Sequence, residues 1–221
     1  LAVGEAVHEY GGLFVLDCVA SGSVWVDKEA SGEDVLITAP QKGRSSSPCG
    51  ALVLLGGNAV KRVGETTSSS FACDLRKWLD IMRAYEDGGH AYHATLPTDA
   101  LKTFRDTMLE TVSNGLDIMR EKQWALGRKV RELLESHGFR SVAGDGYQAP
   151  GVVVYYTDDP EIQNGSKFAA QGLQIAAGVP LMCDEPADFR SFRVGLFGLE
   201  KLRDTDRAVV PLAQALERIT A

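Results

Sequence analysis

The chain has 221 residues, 44% hydrophobic and 24% charged, with a formal charge of −7. These proportions are ordinary for a globular protein and exclude a disordered or fibrous chain. The acidic balance, with a pI near 5.2, argues against general binding to nucleic acid or anionic membranes. A chain of this length buries about 70% of the surface that its unfolded form exposes, enough for one large domain or two modest ones without covalent staples.

Four cysteines, Cys18, Cys49, Cys73 and Cys183, stand far apart with no Cys-x-x-Cys pair. That reads as buried or half-buried reduced thiols in a cytoplasmic protein, with neither a disulfide frame nor a zinc site. The longest apolar-leaning run, Phe168 to Cys183, is broken by Gln171, Gln174 and Pro180 and falls short of the roughly 20 apolar residues of a membrane span. No basic segment precedes an apolar one at the start, so no signal peptide is expected within the given residues. The first residue is Leu1, not methionine.

In chain order, residues 1–10 read as the end of a helix, with Leu1, Ala2, Ala6 and Val7 on one side and Gly11-Gly12 as the stop. Three short apolar strands are expected next: Leu13 to Leu16, ending at Asp17, Val35 to Thr38, and Ala51 to Leu55. Continuous apolar strands predict a sheet covered on both faces. Leu75, Trp78, Leu79, Met82 and Tyr85 recur at helical spacing before Gly88-Gly89. Thr98, after Pro97, is read as the N-cap of a long helical stretch that runs through Leu126, Val130 and Leu134 to Gly138, with Gly115 as a kink or weak point. Beyond it come a strand at Val152 to Tyr156, a helix near Lys167 to Ala176, a strand near Phe192 to Gly195 and a last helix from Asp204 to Ile219, together a small α/β domain. The three-serine runs at 45–47 and 68–70 are read as loops.

Two polar residues stand where strands end. Asp17 closes the first and Lys42 lies just past the second, and the carboxyl ends of strands in open α/β sheets face the ligand crevice. Each alone is ordinary, since an aspartate after a strand usually makes a turn and a lone lysine is usually solvated. Together they are the two groups that pyridoxal phosphate chemistry most needs: an amine for covalent attachment and a carboxylate that holds a pyridinium proton.

The segments Asp17-Cys18-Val19-Ala20-Ser21-Gly22, Ala39-Pro40-Gln41-Lys42-Gly43 and Pro48-Cys49-Gly50 resemble the class V aminotransferases, above all the alanine–glyoxylate and serine–pyruvate group. The resemblance extends over nearly the whole chain. It implies an α/β chain of the aspartate-aminotransferase-like fold (fold type I), with residues 1–114 as part of a large pyridoxal 5'-phosphate-binding domain and 115–221 as a small C-terminal domain. It further implies that Lys42 is catalytic and carries the cofactor, that Asp17 pairs with the pyridine nitrogen, that Val19 packs on the ring and that Gln41 contacts the phosphate. Ala91-Tyr92-His93-Ala94-Thr95-Leu96-Pro97 is similar to the segment whose Tyr and Thr, here Tyr92 and Thr95, reach the phosphate of a neighbouring subunit, which implies a homodimer with a shared site. Phe192-Arg193-Val194-Gly195-Leu196-Phe197-Gly198 resembles the strand whose arginine binds the substrate carboxylate, a task suited to the planar fork of Arg193.

The expected reaction is transfer of an amino group from alanine or serine to glyoxylate or pyruvate, with no nucleic-acid or membrane partner. Gln41 before Lys42 disfavours the related cysteine desulfurases, which place a histidine there. His90 and His93 are read as loop packing at a dimer interface, and His8 and His137 as helix-surface residues. Gly195-Leu196-Phe197-Gly198 is not a phosphate loop, having neither Gly-Lys-Ser/Thr nor a dinucleotide fingerprint. Family members carry a long segment before the Asp motif, with the turn that grips the phosphate and an aromatic that stacks on the ring, and the chain resembles the part that follows it. The rival expectations are a non-catalytic piece or assembly module awaiting that segment, and a class V transaminase for an aminophosphonate or a ureido amino acid.

Overall fold

The structure, a computed structural model, describes residues 2–220; Leu1, expected to open the first helix, lies outside them. The chain divides into two compact units. The first comprises Leu1–Val19, Val26–Pro40 and Ser46–Arg105, and the second Ala20–Trp25, Gln41–Ser45 and Asp106–Ala221.

In the first unit α1 (Ala2–Glu9) is followed by β1 (Val15–Asp17), α2 (Lys28–Ser31), β2 (Val35–Thr38), β3 (Leu52–Leu55), α3 (Gly57–Glu65) and α4 (Leu75–Glu86). Gly11, at φ 68°, ends α1 where the chain must turn left-handed, and Gly12 N–H donates to Val7 O at 3.0 Å. The sheet runs β1-β2-β3, with β1 and β2 parallel and β3 antiparallel to β2. β2 is central and largely buried, as its unbroken apolar run predicts. β1 is not the buried strand expected: it starts at Val15, which is 50% exposed, and it pairs only with β2 among the described strands. The expected two-sided cover therefore holds for β2 but not for the flanking strands, where Leu54 is also half exposed.

α3 was not anticipated, because Gly56 and Gly57 read as a strand stop while they also begin a helix. Its C-terminal carbonyls are gathered by Arg76, whose guanidinium donates to Val63 O, Gly64 O and Thr66 O at 3.0, 2.6 and 2.5 Å. In α4, Asp74 caps the N-terminus by accepting from Lys77 N–H at 3.2 Å.

α5 (Thr98–Ser113) carries the chain from the first unit to the second, and α6 (Leu116–Ser136) follows. The expected single stretch is thus two helices, since Gly115 sits at φ 85° and ends the first. Thr98 is the first residue of α5, one position inside the helix from the expected cap. α6 closes as predicted at Gly138, with φ 84° and Phe139 N–H donating to Leu134 O at 3.2 Å.

The second unit continues with β4 (Val152–Tyr156), α7 (Pro160–Gln163), α8 (Ser166–Ala170), β5 (Ala176–Ala177), β6 (Ser191–Gly195), α9 (Leu199–Arg203) and α10 (Thr205–Ile219). The helix expected to reach Ala176 stops at Ala170, because Gly172 turns at φ 78° and Leu173 N–H closes on Phe168 O at 3.0 Å. β4 and β5 flank β6, both antiparallel to it. The core of this unit joins the α6 stripe of Met119, Leu126, Val130 and Leu134 to Val153, Tyr155, Phe168, Phe192, Leu202 and Leu216. Tyr155 donates to Glu135 at 2.9 Å, and burial together with that neighbouring carboxylate pushes its hydroxyl up to about 12. Among the described residues no helix is long and apolar enough to cross a membrane.

Candidate active site

In the first unit, Asp17 closes β1 with its side chain exposed, and its Oδ1 accepts from Val19 N–H at 2.8 Å. That bond turns the chain away from the strand and engages only one of the two carboxylate oxygens. Cys18 N–H donates to Ile37 O at 2.7 Å and Thr38 Oγ1 donates to Cys18 O at 3.2 Å, so the carboxyl ends of the two parallel strands are tied together beneath Asp17. Tyr92 and Thr95 share a hydroxyl–hydroxyl hydrogen bond of 3.1 Å, with Tyr92 70% exposed. Between them His93 packs against Phe71 and Trp78 and bonds Phe71 O at 2.9 Å. Among the described residues no group of three or more His, Cys, Asp or Glu side chains is placed to hold a metal ion.

In the second unit, Gln41 and Lys42 are exposed on the turn 41–44. The turn is fastened on every side but theirs. Gly43 is buried, and a Cβ added to it would overlap the backbone of Gly22, so only glycine lets the two main chains touch. The Arg44 guanidinium lies 4.4 Å from the ring centroid of Trp25, whose Nε1 donates to Leu116 O at 2.9 Å. Ser45 Oγ accepts from Leu199 N–H at 2.8 Å. Lys42 itself makes no ion pair with the described residues. Arg193 stands half-buried on β6 and donates through Nε to Ala177 O at 2.9 Å. That bond fixes the guanidinium plane and leaves the two terminal nitrogens as a fork.

Asp17 and Val19 therefore share one hydrogen-bonded turn of the first unit, and Tyr92 and Thr95 another. Gln41 and Lys42 share the fastened turn of the second unit, which also carries Arg193. His8 is exposed on α1, as expected of a helix-surface residue, and is bonded to the buried carboxylate of Asp34 at 2.7 Å, while His137, half-buried, caps α6 with its ring on Leu133 O at 2.9 Å. Cys73 and Cys183 are exposed, unlike the buried or half-buried thiols expected.

Two residues escaped the sequence reading. Gln123 is fully buried on α6, and the available signal was a lone amide in the helical series Met119, Gln123, Leu126, Val130. Glu185 accepts from the N–H groups of Leu181, Met182 and Cys183 at 2.6, 3.0 and 2.9 Å. Those backbone donors, Cys183 foremost, hold its carboxyl down at about 2. The loop so held borders a hollow of about 800 Å³ whose lining includes Arg140, Asp159 and Arg190 but neither Lys42 nor Arg193.

No family model matches the chain. Alanine–glyoxylate aminotransferase of Felis catus is 26% identical over 97% of the chain and 52% of its own length. A 2-aminoethylphosphonate–pyruvate transaminase of Burkholderia ambifaria is 25% identical over 99% of the chain and 57% of its own length. The chain thus spans about half the length of these curated relatives, and the resemblance to the class V aminotransferases holds over nearly all of it. Among solved structures, alanine–glyoxylate aminotransferase from Nostoc sp. matches with a TM-score of 0.84 at 22% identity, covering 99% of this chain and 56% of that one. Aspartate aminotransferase from Thermus thermophilus matches with a TM-score of 0.77 at 23% identity, covering 99% and 60%. The fold is that of part of an aspartate-aminotransferase-like enzyme of fold type I.

Proposed function

We propose that the chain is the lysine-bearing part of a pyridoxal phosphate-dependent aminotransferase that moves an amino group between a small amino acid, alanine or serine, and glyoxylate or pyruvate. The observation that carries this reading is the state of Lys42: an exposed, unpaired amine on a turn that Gly43, Arg44 and Ser45 fasten from behind. A solvated surface lysine has no need of such a base.

The residues present suit the cofactor by their chemistry. Lys42 offers the attaching amine, Asp17 an exposed side chain for the pyridine nitrogen, Val19 an apolar contact for the ring, and Gln41 a donor for the phosphate. Tyr92 and Thr95 offer paired hydroxyls for a phosphate held by a second subunit, which supports a homodimer as the working form. Pyridoxal phosphate, when bound, supplies the electron sink that lets a proton leave the substrate's α-carbon. Lys42 would attach the cofactor and, as an amine close to the substrate's α-carbon, would take up that carbon's proton as general base and give it back as general acid. Asp17 would hold the proton on the ring nitrogen in place, and Arg193 would receive the substrate carboxylate in two parallel hydrogen bonds. Gly115 supports a boundary near residue 114 between the large-domain part and the small domain. The span of about half the relatives' length supports a working form that includes a further segment.

Trapping tests the reading. The chain is incubated with pyridoxal phosphate and reduced with borohydride, and the adduct is mapped by mass spectrometry. Preferred modification of Lys42 is expected; an adduct spread over many lysines with none preferred at Lys42 overturns the assignment. The 2-aminoethylphosphonate–pyruvate transaminase, 25% identical over 99% of the chain, favours a second reading with an aminophosphonate donor. Amine-transfer spectra with alanine, serine and 2-aminoethylphosphonate separate the two.

A further inference from the structure

The side chain of Gln123 is fully buried in the stripe of α6 that otherwise consists of Met119, Leu126, Val130 and Leu134. An apolar residue would fill that position at lower cost, because a buried amide is tolerated only when its groups are paired. Its nitrogen is paired, donating to Pro150 O at 3.0 Å and Leu196 O at 3.4 Å. These two bonds also settle which end of the amide is which. Its oxygen, Oε1, is buried and meets no donor.

That oxygen faces Gly22. A Cβ built on Gly22 would lie 3.4 Å from Gln123 Oε1 and 3.2 Å from the Phe197 ring. Gly22 also meets Gly43, where no Cβ fits, and Gly43 follows Lys42. Gln123 Oε1 and the Phe197 ring thus close off the space beside Gly22, and the Gly22 backbone in turn packs on Gly43, the neighbour of the lysine. Through its nitrogen the same amide grips Leu196, three positions beyond Arg193. One group, on one helix, thus borders the glycine that backs the lysine turn and bonds the end of the arginine strand. Close-packed interiors transmit displacements of this kind because neighbours have no slack to absorb them.

We propose that Gln123 is a positioning residue that keeps the Lys42 turn in register with the end of the Arg193 strand. Through it, one amide sets the spacing between the group that serves the substrate's amine and the group that grips its carboxylate. The substrate half of this inference rests on the reading of Lys42 and Arg193 given above; the mechanical half does not. Replacing the amide by a thioether removes the bonds to Pro150 O and Leu196 O and the polar oxygen beside Gly22 together, so both sides loosen at once.

The test compares backbone hydrogen exchange, peptide by peptide, in the wild-type chain, Gln123→Met and Gln123→His. In Gln123→Met, exchange in 20–25, 41–45 and 196–198 is expected to quicken about tenfold, the scale of one buried hydrogen bond, while β4 and α10 keep their protection. Gln123→His retains a buried donor and is expected to recover most of the protection. Unchanged exchange at 41–45 in Gln123→Met overturns the proposal, and does so with no cofactor present. Protection lost evenly across the second unit in both variants also overturns it, since the amide would then serve the core alone. Trapping with pyridoxal phosphate and borohydride reads the other half: the share of adduct at Lys42 falls in Gln123→Met and returns in Gln123→His. A wild-type chain without preference for Lys42 overturns the substrate half, whereas hydrogen exchange decides the mechanical half by itself.

Discussion

His8 on α1 and Asp34 at the start of β2 are joined by a hydrogen bond of 2.7 Å, and the carboxylate they share is almost wholly buried. Asp34 also accepts from Phe14 N–H at 2.8 Å and from Asn58 at 3.0 Å, so one side chain fastens α1, the entry to β1 and α3. Burial by itself pushes this carboxyl up, but the bonds from His8, Phe14 and Asn58 outweigh it and hold the carboxyl below its ordinary value. A depressed folded-state value means that the stabilisation is fully present above the ordinary carboxylate range and is lost as pH falls through the lowered value. Asp34→Asn is expected to cost about 1–3 kcal/mol near neutral pH, because an amide cannot serve all three donors. It should also flatten the acid limb of the stability profile. Urea unfolding from pH 7 down to pH 3 measures both, and identical profiles for the two proteins would refute the role given to Asp34.

Gly43→Ala places a methyl group into the backbone of Gly22. Overpacking of this kind costs about 1–3 kcal/mol, and the turn that carries Lys42 must yield. Reduced trapping of pyridoxal phosphate at Lys42 is expected alongside a lower melting temperature. Gly50→Ala is the control, since nothing lies within 4 Å of the added carbon, and it should match the wild type in both measurements.

Arg193→Lys keeps the charge but loses the planar fork. In an active preparation the loss of a charge-assisted pair is expected to raise KM for the amino acid about 10- to 100-fold, with a smaller change in kcat. An unchanged KM removes Arg193 from the substrate site.

Glu185→Ala removes the acceptor that three backbone N–H groups of the 181–183 segment share. Met182 and Asp184 hold positive φ values of 58° and 61°, conformations that need outside support in residues other than glycine. Limited proteolysis should therefore cut the variant faster between residues 181 and 185 while the core stays intact. In the wild type the loop is expected to keep its order down to strongly acid pH. Its carboxyl sits at about 2, so the stabilisation present above the ordinary carboxylate range fades only as pH falls through that value.

What the sequence made legible follows from how local each signal is. β2 and β4 stand where their apolar runs predict, because a continuous β-branched run decides a strand with little help. Gly115 and Gly138 end helices as their backbone freedom allows. The exposure of β1 was not legible, since burial of an edge depends on which strands pair beside it and Val15 carries no mark of that. α3 was hidden because its opening glycines are equally good strand terminators. The candidate site divides along the same line. Asp17, Lys42 and Arg193 sit in short local phrases and could be found by eye. Gln123 acts through Gly22, Pro150 and Leu196, which are distant in sequence, so only its polar character at an apolar position hinted at anything.

β1 bonds to β2 alone among the described strands, and the backbone groups along its other side form a ready template for a further strand. At high concentration two copies of the chain can satisfy those groups against each other, so self-association should rise steeply with concentration and temperature. Replacing the half-exposed Val15 with lysine puts a charge where such a contact would form, a practical route to a better-behaved preparation for every measurement above.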